Sequence, residues 1–350
     1  MILKNIFLQD FRSYEKQQFS FENTTLIIGP NTSGKTNLIE AICLLSTGKS
    51  FRTEKDIQML RFGEAIARVK GSSDDEELEV VITNGLVNGK SQYKKFLVNG
   101  VAKRRVDFAG NFLSVLFSPQ DLDIIIDSPG LRRNFLDEVL EQVDRGYRVA
   151  AISYSKALRQ RNALLEATRE TGMRNQKQFE YWDNLVIENG NIITQKREEF
   201  INFANSAVKD IFDFVINYDK STISKERLLQ YETQEIASAV TLVGPHRDDF
   251  SVSMFGDGSS TMHDIKFFGS RGQQRLAILQ LKILELLFVE EKMGNRPVLI
   301  LDDIFSELDA IHINLIFDEI GKQQTIMTTT HKEFVPKNLL KSMKIINFTK

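Results

Sequence analysis

Hydrophobic and polar positions change their spacing several times along the chain, and each change predicts a different element. Ile2 to Leu8 alternates as a half-buried strand does, Thr24 to Ile28 is a short apolar run, and a helix follows from Lys35 to about Leu45, bounded by Gly48. Ala65 to Lys70, Leu78 to Thr83 and Lys95 to Val98 are short and alternating. The acidic run from Asp74 to Glu77 and the pairs Asn84-Gly85, Asn88-Gly89 and Asn99-Gly100 separate them, which predicts an antiparallel meander. From about Leu131 to Leu229 the pattern becomes helical and densely charged, as in Tyr154 to Leu165. Strand character returns at Ala239 to Val243 and Phe250 to Met254. An apolar helix then runs from Gln273 to Phe288, and Val298 to Leu301 reads as a buried strand. No internal repeat, low-complexity tract or sustained heptad register appears.

These elements predict three parts: 1–115 and 239–350 as two portions of one α/β head, and 116–238 as a helical lobe. Composition fits that picture. The 350 residues suffice for about two domains, and 42% hydrophobic with 26% charged content suits a soluble globular protein. No apolar run approaches the ~18 residues of a membrane span, and the first ten residues lack the layout of a secretion signal, so the expected location is cytoplasmic. The single cysteine, Cys43, lies among Ala41, Ile42, Leu44 and Leu45 and reads as a buried, inert thiol. A net charge of -2 gives no global attraction to nucleic acid, so any such contact must come from local basic patches.

The chemistry begins at Gly29-Pro30-Asn31-Thr32-Ser33-Gly34-Lys35-Thr36, with Asn37 behind it. The segment matches G-x4-G-K-T and lies between an apolar strand and a helix. Glycines there let backbone N–H groups curl around an anion and the helix N-terminus favours negative charge. Lys35 reaches the β- and γ-phosphates, and the Thr36 hydroxyl suits Mg²⁺. Pro297 to Asp303 is a buried strand ending in two carboxylates. Asp302 is suited to Mg²⁺ and Asp303 to orienting or deprotonating an attacking water. Ser270-Arg271-Gly272-Gln273-Gln274 opens a helix with a hydroxyl and free N–H groups, a second anion site. The succession of phosphate loop, Ser-x-Gly-Gln-Gln and Asp-Asp strand, with Ser306-Glu307-Leu308-Asp309 behind it, resembles the ABC ATPase superfamily. That likeness implies an α/β ABC/SMC-type P-loop head, a mixed sheet with an antiparallel meander, and a mainly helical second lobe. It also implies an ATP-sandwiched homodimer, in which Ser270, Gly272 and Gln273 of one copy face the phosphate loop of the other.

The total length leaves no room for an SMC coiled coil. Leu8 to Tyr14 resembles the N-terminal segment of SMC and RecF proteins, in which an arginine, here Arg12 followed by Ser13, leans onto the nucleotide. Further segments resemble the RecF family: Thr47 to Thr53, Leu116 to Leu122, Ser128 to Asp137, Leu158 to Leu165 and Gly244 to Asp249. They span nearly the whole chain. The resemblance implies a weak, DNA-stimulated ATPase of recombinational repair, using ATP and Mg²⁺. It implies recognition of double-stranded DNA and gap junctions, and work with RecO and RecR in placing RecA on single strands. A nucleotide-gated scaffold with incidental hydrolysis is the alternative.

Two positions depart from the pattern. Gln120 stands where the family has Glu, and is a candidate Mg²⁺ sensor. His331 stands where the family has an acid and transporters have a γ-phosphate-sensing histidine. His246-Arg247-Asp248 mimics a kinase catalytic loop without the other kinase motifs, so a structural role fits Gly244 to Asp249 better. His263 and His312 have no partner at zinc-ligand spacing. Candidate DNA contacts are Lys94, Lys95, Lys103, Arg104, Arg105, Arg132, Arg133, Arg159 and Arg161.

Overall fold

The computed structural model describes residues 2–53, 55–73, 76–85, 94–255, 261–306, 319–335 and 340–349. Asn88-Gly89, Glu307 to Asp309 and His312, singled out above, lie outside them. The chain divides into two compact units, residues 1–121 with 282–350, and residues 122–281.

The first unit opens with β1 (Asn5–Phe11), β2 (Tyr14–Ser20) and β3 (Thr24–Ile28), then α1 (Lys35–Thr47) and the meander strands β4 (Ile66–Ser72), β5 (Glu77–Thr83), β6 (Lys94–Val98) and β7 (Val101–Lys103). A short α2 (Arg105–Phe108) and β8 (Ser114–Phe117) follow. The antiparallel strands form a six-stranded sheet in the order β2-β1-β4-β5-β6-β7. Asn99 and Gly100, both at positive φ (50° and 76°), make the tight β6–β7 turn. β2 escapes the periodicity because Tyr14 and Phe19 are its only buried side chains; Glu15 to Gln18 are exposed.

The second unit holds α3 (Asp123–Ile126), α4 (Pro129–Val143), α5 (Arg145–Thr171), α6 (Gln176–Ser206), β9 (Val215–Asp219), α7 (Lys225–Gln230), α8 (Glu232–Ser238), β10 (Asp249–Phe255), β11 (Met262–Asp264) and α9 (Ile265–Phe268). Helix α10 (Arg271–Met293) begins in this unit and ends in the first. The first unit then finishes with β12 (Val298–Asp302), β13 (Thr325–Thr329) and β14 (Lys344–Asn347). These join β3 and β8 in a five-stranded, wholly parallel sheet, β14-β3-β13-β12-β8. Parallel and antiparallel strands are thus sorted into separate sheets.

Helix α1 touches β4 and β5 of one sheet and β8 and β12 of the other. Its residues Leu38 to Ser46 are therefore all buried, as a helix without a polar face must be. Cys43 is buried with them.

The sequence boundaries at 116 and 239 differ from the contact boundaries because β10 and β11 pair with β9, which draws 239–281 into the second unit. Ala239 to Val243, read as a strand, is a turn: Ala239 has φ 57°. Side chains, rather than a sheet partner, satisfy its backbone. Thr241 N–H donates to Asn162 (2.9 Å) and Leu242 N–H to Glu235 (2.8 Å).

The segment Gly244 to Asp249 fastens this unit together. Arg197 of α6 donates to Pro245 O (2.7 Å) and Asp248 (3.1 Å). Tyr218 of β9 (2.5 Å) and Ser221 N–H (2.8 Å) also donate to Asp248, which is fully buried. Arg132 of α4 grips Asp249 in a bidentate pair (2.6 and 3.0 Å), and Arg133 donates to Asp248 O. His246 Nε2 lies 2.9 Å from Thr241 O, which only accepts, so that nitrogen carries the proton and Nδ1 accepts from the Tyr154 hydroxyl at 2.7 Å. Burial, reinforced by Arg247 and Arg133, pushes His246 from its ordinary 6.5 down to about 4. Between those values the unfolded chain binds a proton that the folded chain refuses, so stability falls as pH drops through this window. Urea unfolding at pH 4.5 should show a loss of about 2–3 kcal/mol relative to pH 7 from this group. His246→Gln, which keeps one donor and one acceptor, should flatten that loss.

Candidate functional site

At the carboxyl end of β3 the chain must turn sharply into α1. Gly29 N–H bonds Thr329 O at 3.3 Å, Phe348 N–H bonds Ile28 O at 2.7 Å, and Ser33 N–H bonds Pro30 O at 3.3 Å. Thr32 and Gly34 are left-handed, with φ 71° and 101°. Such residues preceding a helix turn successive N–H groups toward one point. A Cβ on Gly34 would come within 2.9 Å of the Tyr14 hydroxyl, and one on Gly29 within 2.6 Å of Phe348 Cβ. Gly34 caps α1 without any side-chain bond, leaving the first-turn N–H groups for a ligand.

Lys35 is 6% exposed, and its ammonium folds back onto the loop, donating to Gly29 O (2.7 Å) and Pro30 O (3.1 Å). Desolvation lowers its affinity for the proton, and Asp303 and Asp302 offset part of that loss. Behind the loop, Asn37 donates to Ser13 (2.9 Å). Arg12 makes a bidentate pair with Glu40 (2.8 and 2.6 Å) and donates to Gln58 O. Arg52 donates to Asn37 (2.8 Å), and Ser50 donates to Glu40.

β13 separates β3 from β12, so its end stands between loop and carboxylates. Thr328, opposite Asp302 in register, donates its hydroxyl to Asp302 (2.6 Å) and accepts from Asp303 N–H (3.0 Å). Asp303 itself is left-handed, with φ 52°. Burial raises its carboxyl above the ordinary 3.8; Lys35 opposes the shift and Asp302 adds to it. His331 follows two residues after β13, its N–H on the Thr329 hydroxyl at 3.3 Å. It lines a cleft of about 510 Å³ with Ile28 to Asn31, Thr330, Asn347 and Phe348. Gln120 is exposed, three residues past β8, the neighbour of β12. Its turn is pinned where Asp121 accepts from Ser118 N–H (2.5 Å) and lies 3.7 Å from Lys282. Gly29 to Asn37, Asp302, Asp303, His331 and Gln120 thus all follow the carboxyl ends of strands in one parallel sheet, where α/β sheets bind ligands.

Ser270, Gly272 and Gln273 belong to the second unit. Ser270 N–H donates to the Gln273 side chain (2.8 Å) and Gln273 N–H to the Ser270 hydroxyl (3.2 Å), a reciprocal capping box. Ser270, Arg271 and Gly272 are exposed.

A polyphosphate fits the loop on its own evidence. The Ser33 hydroxyl is buried with no hydrogen-bond partner, neither glycine has room for a side chain, and the Lys35 ammonium rests on weak acceptors that an anion outcompetes. Asp302 and Asp303, at the carboxyl end of β12 in the sheet that carries the loop, are oxygen donors of the kind a divalent cation takes.

Glu40, Thr328 and Tyr14 were not singled out from sequence. Glu40 had a signal, a lone acid within Leu38 to Leu45, and it is fully buried. Among the basic candidates for DNA contact the structure buries Arg161 and Arg132 and engages others within the protein. Arg161 is 1% exposed and engaged by Asp183, Glu235 and Thr241. Arg132 and Arg133 serve the Asp248-Asp249 network, Lys94 pairs with Asp56 (2.6 Å), and Arg105 donates to Thr47 O (3.3 Å). Lys95, Lys103, Arg104 and Arg159 are exposed.

The loop, the parallel sheet and the antiparallel sheet define an ABC/SMC-type ATPase head. The chain matches the family described as RecF/RecN/SMC N terminal domain over residues 2–349. An SMC head bound to the C-winged helix domain of ScpA shares the fold, at TM-score 0.51 and 15% identity over 95% of this chain and 91% of that one. DNA replication and repair protein RecF of Agathobacter rectalis is 35% identical over 365 residues, covering 100% of this chain and 98% of the relative. RecF of Moorella thermoacetica is 33% identical over 97% of this chain and 92% of its own length. A structure of the recombination mediator protein RecF with ATP, from the RecFOR pathway, superposes at TM-score 0.84 with 33% identity, covering 95% of this chain and 93% of that one. The chain belongs to the RecF family of DNA replication and repair proteins. Among its described residues, no helix is long and apolar enough to cross a membrane.

Thr328→Val removes the hydroxyl that bridges both carboxylate residues and leaves Asp303 N–H without that acceptor. Thermal unfolding should show a loss of about 1–3 kcal/mol, and Thr328→Ser should restore most of it.

Proposed function

We propose that the chain is a slow, DNA-stimulated ATPase that closes into a homodimer around two molecules of MgATP. In this reading the dimer clamps double-stranded DNA and gap junctions and releases them after hydrolysis. The observation that carries it is the convergence of an open phosphate loop and a hydroxyl-braced carboxylate pair on one sheet edge. Membership of the RecF family supports work with RecO and RecR in placing RecA on single strands.

In this reading Lys35 leaves the Gly29 and Pro30 carbonyls to donate to β- and γ-phosphate oxygens, while the N–H groups of Gly34, Lys35 and Thr36 cradle the chain of phosphates. Arg12 and Ser13, fixed by Glu40 and Asn37, border the nucleotide. Thr36, Asp302 and Gln120 would hold Mg²⁺, which would supply counter-charge to the phosphates. Asp303 takes a proton from the attacking water, and His331 stands by the γ-phosphate. Ser270, Gly272 and Gln273 of a second copy supply the remaining hydroxyl and N–H donors, the exposure of Ser270 and Gly272 supporting that use. Of the basic candidates, the exposed Lys95, Lys103, Arg104 and Arg159 are open to DNA phosphates. Asp303 is shorter than the glutamate common at this position in ABC proteins, which makes turnover slow and the ATP-bound dimer long-lived.

Lys35→Arg should abolish ATP-dependent dimerisation in light scattering; a monomer–dimer equilibrium indifferent to it would sink the sandwich. Asp303→Asn should keep ATP binding and dimers but lower turnover by about 10²–10⁴-fold. Because burial raises the Asp303 carboxyl, the acid limb of the turnover profile should lie above pH 3.8 and vanish in Asp303→Asn. Unchanged turnover in that variant would remove Asp303 from the mechanism.

A further inference from the structure

We propose that the Tyr14 hydroxyl is a positioning group for the phosphate loop, setting the direction of the Lys35 backbone N–H. The inference rests on the reading of Gly29 to Thr36 as a phosphate cradle.

Tyr14 opens β2 and is 6% exposed. Its hydroxyl donates to Gly34 O at 2.9 Å, and the same carbonyl accepts the first helical bond, from Leu38 N–H at 3.1 Å. The peptide joining Gly34 to Lys35 is planar and trans, so its N–H points opposite its carbonyl. Holding the oxygen down against β2 therefore turns the Lys35 N–H up out of the helix end, where α1 has no side-chain cap to occupy it. Leu38 alone leaves the peptide free to tilt about the helix axis, and the second bond removes that freedom. Gly34 is left-handed and a Cβ there would stand 2.9 Å from the Tyr14 oxygen, so glycine is what lets the hydroxyl come this close.

The ring that carries the hydroxyl is itself fixed. Tyr14 meets Phe19 edge-on with centroids 5.7 Å apart, and Phe19 stacks on Phe348 at 5.4 Å. Phe348 in turn lies where a Gly29 side chain would be and bonds Ile28 O through its N–H. Both glycines of the loop thus rest on the two ends of one aromatic row. The ring is needed for packing, whereas the hydroxyl ends on the one peptide that opens α1. A purely structural tyrosine would affect stability. A positioning hydroxyl affects the anion.

Tyr14→Phe separates these, since it keeps the ring and deletes one oxygen whose acceptor still has Leu38. Calorimetric titration should show MgATP and MgADP both bound about three- to tenfold more weakly, while the nucleotide-free melting temperature stays within about 2 °C. Phe19→Leu, which disturbs the row but keeps the hydroxyl, should do the reverse, lowering the melting temperature more and the affinity less. If Tyr14→Phe binds both nucleotides as the parent does, or if Phe19→Leu weakens binding as much, the hydroxyl has no positioning role. Lys35→Ala is measured alongside. If it too binds nucleotide as the parent does, the phosphate-cradle reading fails and this inference with it. If it loses binding while Tyr14→Phe does not, only the Tyr14 assignment falls.

Discussion

Helix α1 is stable only because two sheets cover it. Its buried residues point in every direction, so neither sheet alone could remove them from water. Each fully buried Leu or Ile contributes about 1.5–3 kcal/mol, and α1 contributes five such side chains, Leu38, Ile39, Ile42, Leu44 and Leu45. The antiparallel sheet therefore does more than extend the fold: it is the second wall that fixes the axis of α1. The phosphate loop inherits its position from that axis.

A buried charge inside the same helix reaches the loop's other flank. Glu40 has no exposure, and an unpaired carboxylate there would cost several kcal/mol. Arg12, Ser50 and Arg52 meet that demand, the first from the turn after β1 and the others from the segment after α1. Satisfying one acid thus gathers two chain segments beside Asn37 and Ser13. The second unit uses the same device, with Asp248 and Asp249 drawing Arg132, Arg133 and Arg197 from two helices and Tyr218 from a strand.

Much of this was legible from residues alone. The loop, the carboxylate strand, the meander and the long helices each carry a local pattern that burial then confirms in place. What was not legible depends on partners distant in sequence. The turn at Ala239 to Val243 has strand-like alternation, but its donors are taken by Asn162 and Glu235. A basic side chain such as Arg161 looks like a DNA contact until Asp183 and Glu235 enclose it. Thr328 carries no motif at all. Its role appears only because the parallel register sets it opposite Asp302.

The resting charges of the site favour the ligand that its geometry admits. An ammonium has three donors, and Lys35 gives two to neutral carbonyls of its own loop, acceptors about half as strong as ionised oxygens. Burial meanwhile disfavours its charge, and the two aspartates restore part of it. One cation facing two carboxylates leaves a negative excess; burial raises the Asp303 carboxyl, Lys35 opposes that rise, and Asp302 adds to it. A polyphosphate alone would worsen the excess, and a divalent cation alone would leave Lys35 on its carbonyls. Only the two together let Lys35 move to an anionic acceptor while the carboxylates gain a counter-charge. In the proposed reading the site therefore takes a metal–polyphosphate pair rather than either member alone.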